Sequence, residues 1–127
     1  MICTKRLLHI DDDQRMRALV QNLLQEQEKE TVYEFFESEN GDHAVELYQS
    51  VRPDLVLLDL AMPGKNGLLV MEEILTRFPD ACIVILTLHD EPDVFESLLE
   101  KGASVCLSKN KLNELTSVLP QLQTQQP

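Results

Sequence analysis

Three consecutive carboxylates, Asp11, Asp12 and Asp13, close the apolar run Leu7 to Ile10 in the stretch HIDDDQ. Anions crowded at the end of a buried strand repel one another and raise each other's pKa unless a cation joins them. A fourth acid, Asp59, follows a second apolar run in VLLDLAMPGKNG, while Thr87 and Lys109 follow two more in ILTLHDE and GASVCLSK. Hard carboxylates with few nearby imidazoles or thiolates favour an oxygen-coordinated Mg²⁺ over zinc, and Mg²⁺ keeps several waters while bridging to a phosphate. Ionised Asp11, Asp12 and Asp59 carry −3, which Mg²⁺ and the Lys109 ammonium together neutralise. A carboxylate can attack phosphorus and form an aspartyl phosphate when metal and cation stabilise the transferring oxygens. Asp59 is the candidate nucleophile. Thr87 and Lys109 are candidate donors to the phosphoryl group, through a hydroxyl and an ammonium.

These residues lie far apart in the chain, so a scaffold must collect them. Strand candidates are Arg6 to Ile10, Tyr33 to Glu37, Leu55 to Leu58, Cys82 to Leu86 and Ser104 to Leu107. The third and fourth are continuously apolar, as parallel strands covered on both faces are. Between them run stripes at spacings of three and four: Leu19, Val20, Leu23 and Leu24; Ala44, Tyr48 and Val51; Met71, Ile74, Leu75 and Phe78. Two more follow around Phe95, Leu98 and Leu99, then Leu112, Leu115 and Leu119, each on one helical face. Five strand–helix pairs joined by right-handed crossovers make an α/β domain with a parallel sheet and helices on both sides. In such a sheet the ligand site lies outside the carboxyl ends of the strands. That edge is where Asp11, Asp12, Asp59, Thr87 and Lys109 fall.

Composition narrows the function classes. The 127 residues suit one domain, and 22 acidic against 11 basic residues give a net charge of −11. A phosphate backbone or an anionic membrane is a poor direct partner for such a surface. No apolar run approaches the roughly 18 residues of a membrane-spanning helix. Cys3, Cys82 and Cys106 lack metal-ligand spacing and follow no secretory signal, so a reduced cytoplasmic setting is expected. Pro120 should stop or kink the last helix, and the closing QLQTQQP reads as a frayed polar tail or the start of a linker. The domain is therefore assigned to 1–119 and the tail to 120–127.

Together, the acidic pair in IDDDQRMR, the loop RPDLVLLDLAMPGKNG, the strand ILTLHDE and the segment GASVCLSK resemble the receiver domains of bacterial two-component response regulators, from Leu7 to about Leu119. ILTLHDE is most similar to the subgroup often followed by a helix-turn-helix DNA-binding domain. The resemblance implies a flavodoxin-like (βα)5 fold, doubly wound, with strand order 2-1-3-4-5. It implies Mg²⁺ held by Asp11, Asp12, Asp59 and the backbone carbonyl of Ala61. It further implies phosphorylation of Asp59 by a sensor histidine kinase or phosphotransfer protein, with Thr87 and Lys109 as the phosphate-sensing pair. The phosphorylated state would then control an output domain or effector by reshaping the face of the fourth helix, fifth strand and last helix. A monomer, or a homodimer formed on phosphorylation, is the expected assembly.

Several positions depart from the family's pattern. Cys106 stands where many receivers carry a switch aromatic, Asn110 replaces a frequent proline, and Leu88 is larger than the usual small residue and could restrict access to Asp59. In this family Ala61 and His89 occupy positions that tune hydrolysis, and Ala61 has no polar side-chain group to orient an attacking water. Asp13 is read as a cap of the first helix. His9 and His43 are read as packing or surface residues, Cys82 and Cys106 as small buried strand residues. The Glu-rich stretch Glu26 to Glu39 reads as a solvated helix end and edge strand; Arg15 and Met16 resemble positions where family members touch their kinase, with Met16 open between that contact and the core edge. Two rivals stay open: a pseudo-receiver acting by contacts alone, and a Mg²⁺-dependent phosphohydrolase of the haloacid dehalogenase type. The latter would use Asp11 and Asp13 as a DxD pair.

Overall fold

Branched and aromatic residues concentrate in five short runs, and these pair into one parallel sheet. The computed structural model describes residues 2–27 and 30–122. Its strands are β1 (Cys3–Ile10), β2 (Thr31–Ser38), β3 (Leu55–Leu58), β4 (Ile83–Thr87) and β5 (Val105–Ser108). They alternate with helices α1 (Gln14–Gln27), α2 (Ala44–Val51), α3 (Gly67–Arg77), α4 (Pro92–Glu100) and α5 (Glu114–Val118). The spatial order is β2-β1-β3-β4-β5, the doubly wound flavodoxin-like arrangement expected. Two strands leave β1 in opposite directions, so a crevice opens at its carboxyl end. No helix among the described residues is long and apolar enough to cross a membrane.

Strand periodicity divides the interior into two layers. Leu8, Ile10, Val56, Leu58, Ile83 and Ile85 face α2, α3 and α4. Leu7, Leu55, Leu57, Val84, Leu86 and Leu107 face α1 and α5. All of these except Leu107 are fully buried. Covering both faces explains the unbroken apolar runs LVLL and IVIL.

The largest difference from expectation is the last helix. A single helix carrying Leu112, Leu115 and Leu119 is replaced by a 3-10 turn at Lys109–Lys111, the five-residue α5 and a second 3-10 turn at Leu119–Gln121. Pro120 lies in that second turn, where its missing N–H breaks the α-helical ladder, and the chain turns extended at Leu122. Leu115 and Leu119 are nonetheless fully buried, so the stripe survives the break. Strand ends also shift: β1 and β2 are longer than expected, Thr87 belongs to β4, and β5 starts one residue later. Lys109 consequently sits directly after the last ladder residue. Residues 123–127 of the expected tail lie outside the described residues, as do Glu28 and Lys29 of the acidic stretch.

Candidate acidic phosphoacceptor site

Asp11 is the most constrained residue of the edge. Its N–H donates to the Ser38 carbonyl at 3.0 Å, its Oδ1 accepts from the Asp13 amide at 2.9 Å, and its Oδ2 meets the Lys109 ammonium at 3.0 Å. It is fully buried, whereas the adjacent Asp12 is exposed. Asp13 turns away. Its Oδ1 takes the amides of Arg15 at 2.9 Å and Met16 at 3.2 Å, so it caps α1 as expected. A capping Asp13 leaves the DxD reading without its second acid.

Asp59 follows β3, continuing the ladder through its N–H to the Ile10 carbonyl at 3.0 Å. Its Oδ1 accepts from the Ala61 amide at 3.3 Å and its Oδ2 lies 3.3 Å from Lys109 Nζ. The loop beyond it folds back so tightly that a Cβ on Gly67 would stand 2.2 Å from the Asp59 carbonyl oxygen. Only hydrogen fits there. Gly67 then donates its N–H to the Leu60 carbonyl at 2.9 Å and starts α3, capped by Asn66.

Asp11, Asp12 and Asp59 each offer a carboxylate oxygen, and the three oxygens lie within 4.8 Å of one another. Two distant chain segments, the Asp11–Asp12 pair after β1 and Asp59 after β3, thus converge on one acidic cluster that can hold a divalent cation. The electrostatics carry the same message. Burial pushes the Asp59 carboxyl above its ordinary range, Asp11 adds to the rise, and Lys109 opposes it without cancelling it. Burial alone would lower the Lys109 pKa, but its contacts with Asp11 and Asp59 raise it, so the ammonium stays charged. His9 supplies no charge, since burial and the nearby Lys109 lower it to about 4. One ammonium against three acids leaves room for a hard cation, and the donor set suits one.

Thr87 is fully buried at the end of β4, opposite Ser108 in the ladder, and its Oγ1 accepts the His89 amide at 3.1 Å. The residues that follow it are exposed, and Leu88, at 61% exposure, stands in solvent. Asp90 instead ties this loop to the next one. Ser108 Oγ donates to Asp90 Oδ2 at 2.7 Å and accepts the Asn110 amide at 3.0 Å. The Ser108 contact chiefly holds Asp90 below the usual carboxylate range.

Residues 7–119 match the response regulator receiver domain family. The chain belongs to that family. The receiver domain is 35% identical over 105 residues to the transcriptional regulatory protein DegU of Brevibacillus brevis, covering 82% of this chain and 43% of DegU. It is 33% identical over 98 residues to the chemotaxis protein CheY of Listeria monocytogenes, covering 77% of this chain and 80% of CheY. Its fold superposes on a two-component response regulator of the LuxR family from Aurantimonas with a TM-score of 0.82 at 27% identity, over 92% of this chain and 83% of that one. The chain therefore spans less than half of DegU but most of CheY. Relatives of the LuxR type agree with the reading of ILTLHDE.

The structure thus brings Asp11, Asp59 and Lys109 into direct contact, with Asp12 alongside and Ala61 held to Asp59 through its amide. Thr87 sits at the end of the neighbouring strand. His43 is exposed and Met16 is half-buried against the α1 side of the core, while Cys106 is only partly buried. Among the described residues no peptide is cis, including the one at Asn110. Sequence reasoning missed Arg17 and the Asp90–Ser108 pair. Each acts through a contact between segments, so nothing local in the chain announces it.

Proposed function

We propose that this receiver domain accepts a phosphoryl group on Asp59 from a histidine kinase or phosphotransfer protein in a Mg²⁺-dependent reaction, and switches conformation in response. The observation that carries this reading is the convergence of Asp11, Asp12 and Asp59 on one point with Lys109 touching two of them. Mg²⁺ held by Asp11, Asp12, Asp59 and the Ala61 carbonyl would neutralise charge on the transferring oxygens. Asp59 attacks phosphorus, the bond from phosphorus to the donor nitrogen or oxygen breaks, and its electron pair leaves with the donor. Lys109 then exchanges its contact with the Asp59 carboxylate for the phosphoryl oxygens. Thr87 turns its hydroxyl from the His89 amide toward the same group, which frees the loop that Asp90 anchors.

The two states differ in what they present on α4, β5 and α5, so a partner that binds them unequally shifts the population. Arg15, exposed beside the acidic cluster, suits a kinase contact, while Met16 serves the core. Incubation with acetyl phosphate and Mg²⁺ followed by neutral hydroxylamine tests the chemistry. Hydroxylamine attacks the acyl carbon of an aspartyl phosphate, leaving a hydroxamate on Asp59 and freeing inorganic phosphate. Label that resists hydroxylamine would place the phosphate on a hydroxyl and contradict an aspartyl intermediate.

A further inference from the structure

Arg17 is a cation beside a site built for a cation, which needs a reason. Its Nε donates to Glu37 Oε1 at 2.9 Å and its Nη1 donates to the Asp11 carbonyl, with the side chain only 12% exposed. Glu37 lies opposite His9 in the β1–β2 ladder, so the guanidinium joins α1 to the carboxyl ends of two strands. The pairing with Glu37 offsets part of the guanidinium's charge. Its planar fork grips two acceptors at once.

The gripped carbonyl belongs to the peptide between Asp11 and Asp12. Asp11 is held through its amide and both carboxylate oxygens, but the Asp12 carboxylate has no hydrogen bond among the described residues. Its aim is set by its backbone, and the hold on that peptide is Arg17. We propose that Arg17 is a positioning residue for the divalent-cation site, fixing the Asp11–Asp12 peptide so that both carboxylates converge with Asp59. This rests on the reading of Asp11, Asp12 and Asp59 as a cation site.

Charge and positioning predict opposite signs. If Arg17 acted by charge alone, Arg17→Met would make the edge more negative and tighten cation binding, and Arg17→Lys would change nothing. If it positions the peptide, both variants weaken binding, because an ammonium lacks the two-pronged geometry. Loss of a group that orients metal ligands costs roughly ten- to a hundredfold in affinity.

The test is a titration with Mn²⁺ alone, following the free ion by electron paramagnetic resonance, for the wild type, Arg17→Met, Arg17→Lys and the remote control Lys65→Met. Melting in EDTA shows which variants are folded. At least a tenfold loss in both Arg17 variants, with Lys65→Met near wild type, is the expected result. Should Arg17→Met not fold, Arg17→Lys decides. Tighter or unchanged binding in the folded variants overturns the positioning role while leaving the cation site standing. A wild type that takes up no Mn²⁺ overturns both.

Discussion

Asp59 occupies an environment that disfavours its own charge, which is a testable property of the nucleophile. Burial and the neighbouring Asp11 raise its pKa in the folded chain above the unfolded carboxylate value, even with Lys109 in contact. A raised pKa means that ionising the group costs stability, and the cost appears as pH rises through the folded value. Below the unfolded pKa the group is protonated in both states and the cost vanishes. Asp59→Asn is therefore expected to melt a few degrees higher than wild type at pH 7 without metal, and at the same temperature near pH 3. A melting series in EDTA across that range checks it, and a gap that widens toward acid pH would reverse the sign. At this scale the acids and the Thr87–Lys109 pair were legible because each follows an apolar run, which places it at one sheet edge. The capping role of Asp13 was legible too, from its place in a helix's first turn. Arg17 was not, because a guanidinium's partners depend on which strand ends lie within reach of its six-residue detour from Asp11.

Two connections carry the elements' contribution to the site. The close approach of Gly67 to the Asp59 carbonyl leaves a Cβ nowhere to go, since the obstructing atoms are backbone. Gly67→Ala should cost about 2 kcal/mol or more by overpacking, measured by urea denaturation, and should displace Asp59. An unchanged stability would mean that the loop yields freely. The second connection is the hydrogen bond from Ser108 to Asp90, which joins the loop after β4 to the turn after β5. Ser108→Ala should cost about 1 kcal/mol and speed amide exchange at His89, Asp90 and Asn110 while β4 stays protected. Unaltered exchange in that loop would show that Asp90 does not restrain it. Strands and the first four helices were readable from periodicity, since burial on both faces leaves continuous apolar runs and long stripes. The broken segment from Lys109 to Gln121 was not. Its stripe of Leu112, Leu115 and Leu119 fits a helix, but Pro120 and the Ser108 cap divide the hydrogen-bond ladder into short turns.

At the scale of the whole molecule, the sheet gathers residues from four chain segments at one edge, and covering it on both faces makes the rest of the domain a rigid mount for them. Alternation and handedness require a parallel sheet covered on both faces, while the order β2-β1-β3-β4-β5 was implied only by the resemblance to receiver domains. The net charge of −11 discourages direct contact with nucleic acid, so regulation of any DNA-binding output would pass through protein contacts. The strength of that coupling is set by the partner's unequal affinity for the two states, at about 1.4 kcal/mol per factor of ten. The central claim is that one carboxylate, Asp59, takes up phosphate under the control of a divalent cation. Its most direct test is the intact mass of the chain after incubation with acetyl phosphate and Mg²⁺, with Asp59→Asn and an EDTA sample in parallel. A single phosphate adduct that requires both Asp59 and Mg²⁺ is predicted. An adduct that persists in Asp59→Asn or in EDTA would contradict it, as would a wild type that binds Mg²⁺ and remains unmodified.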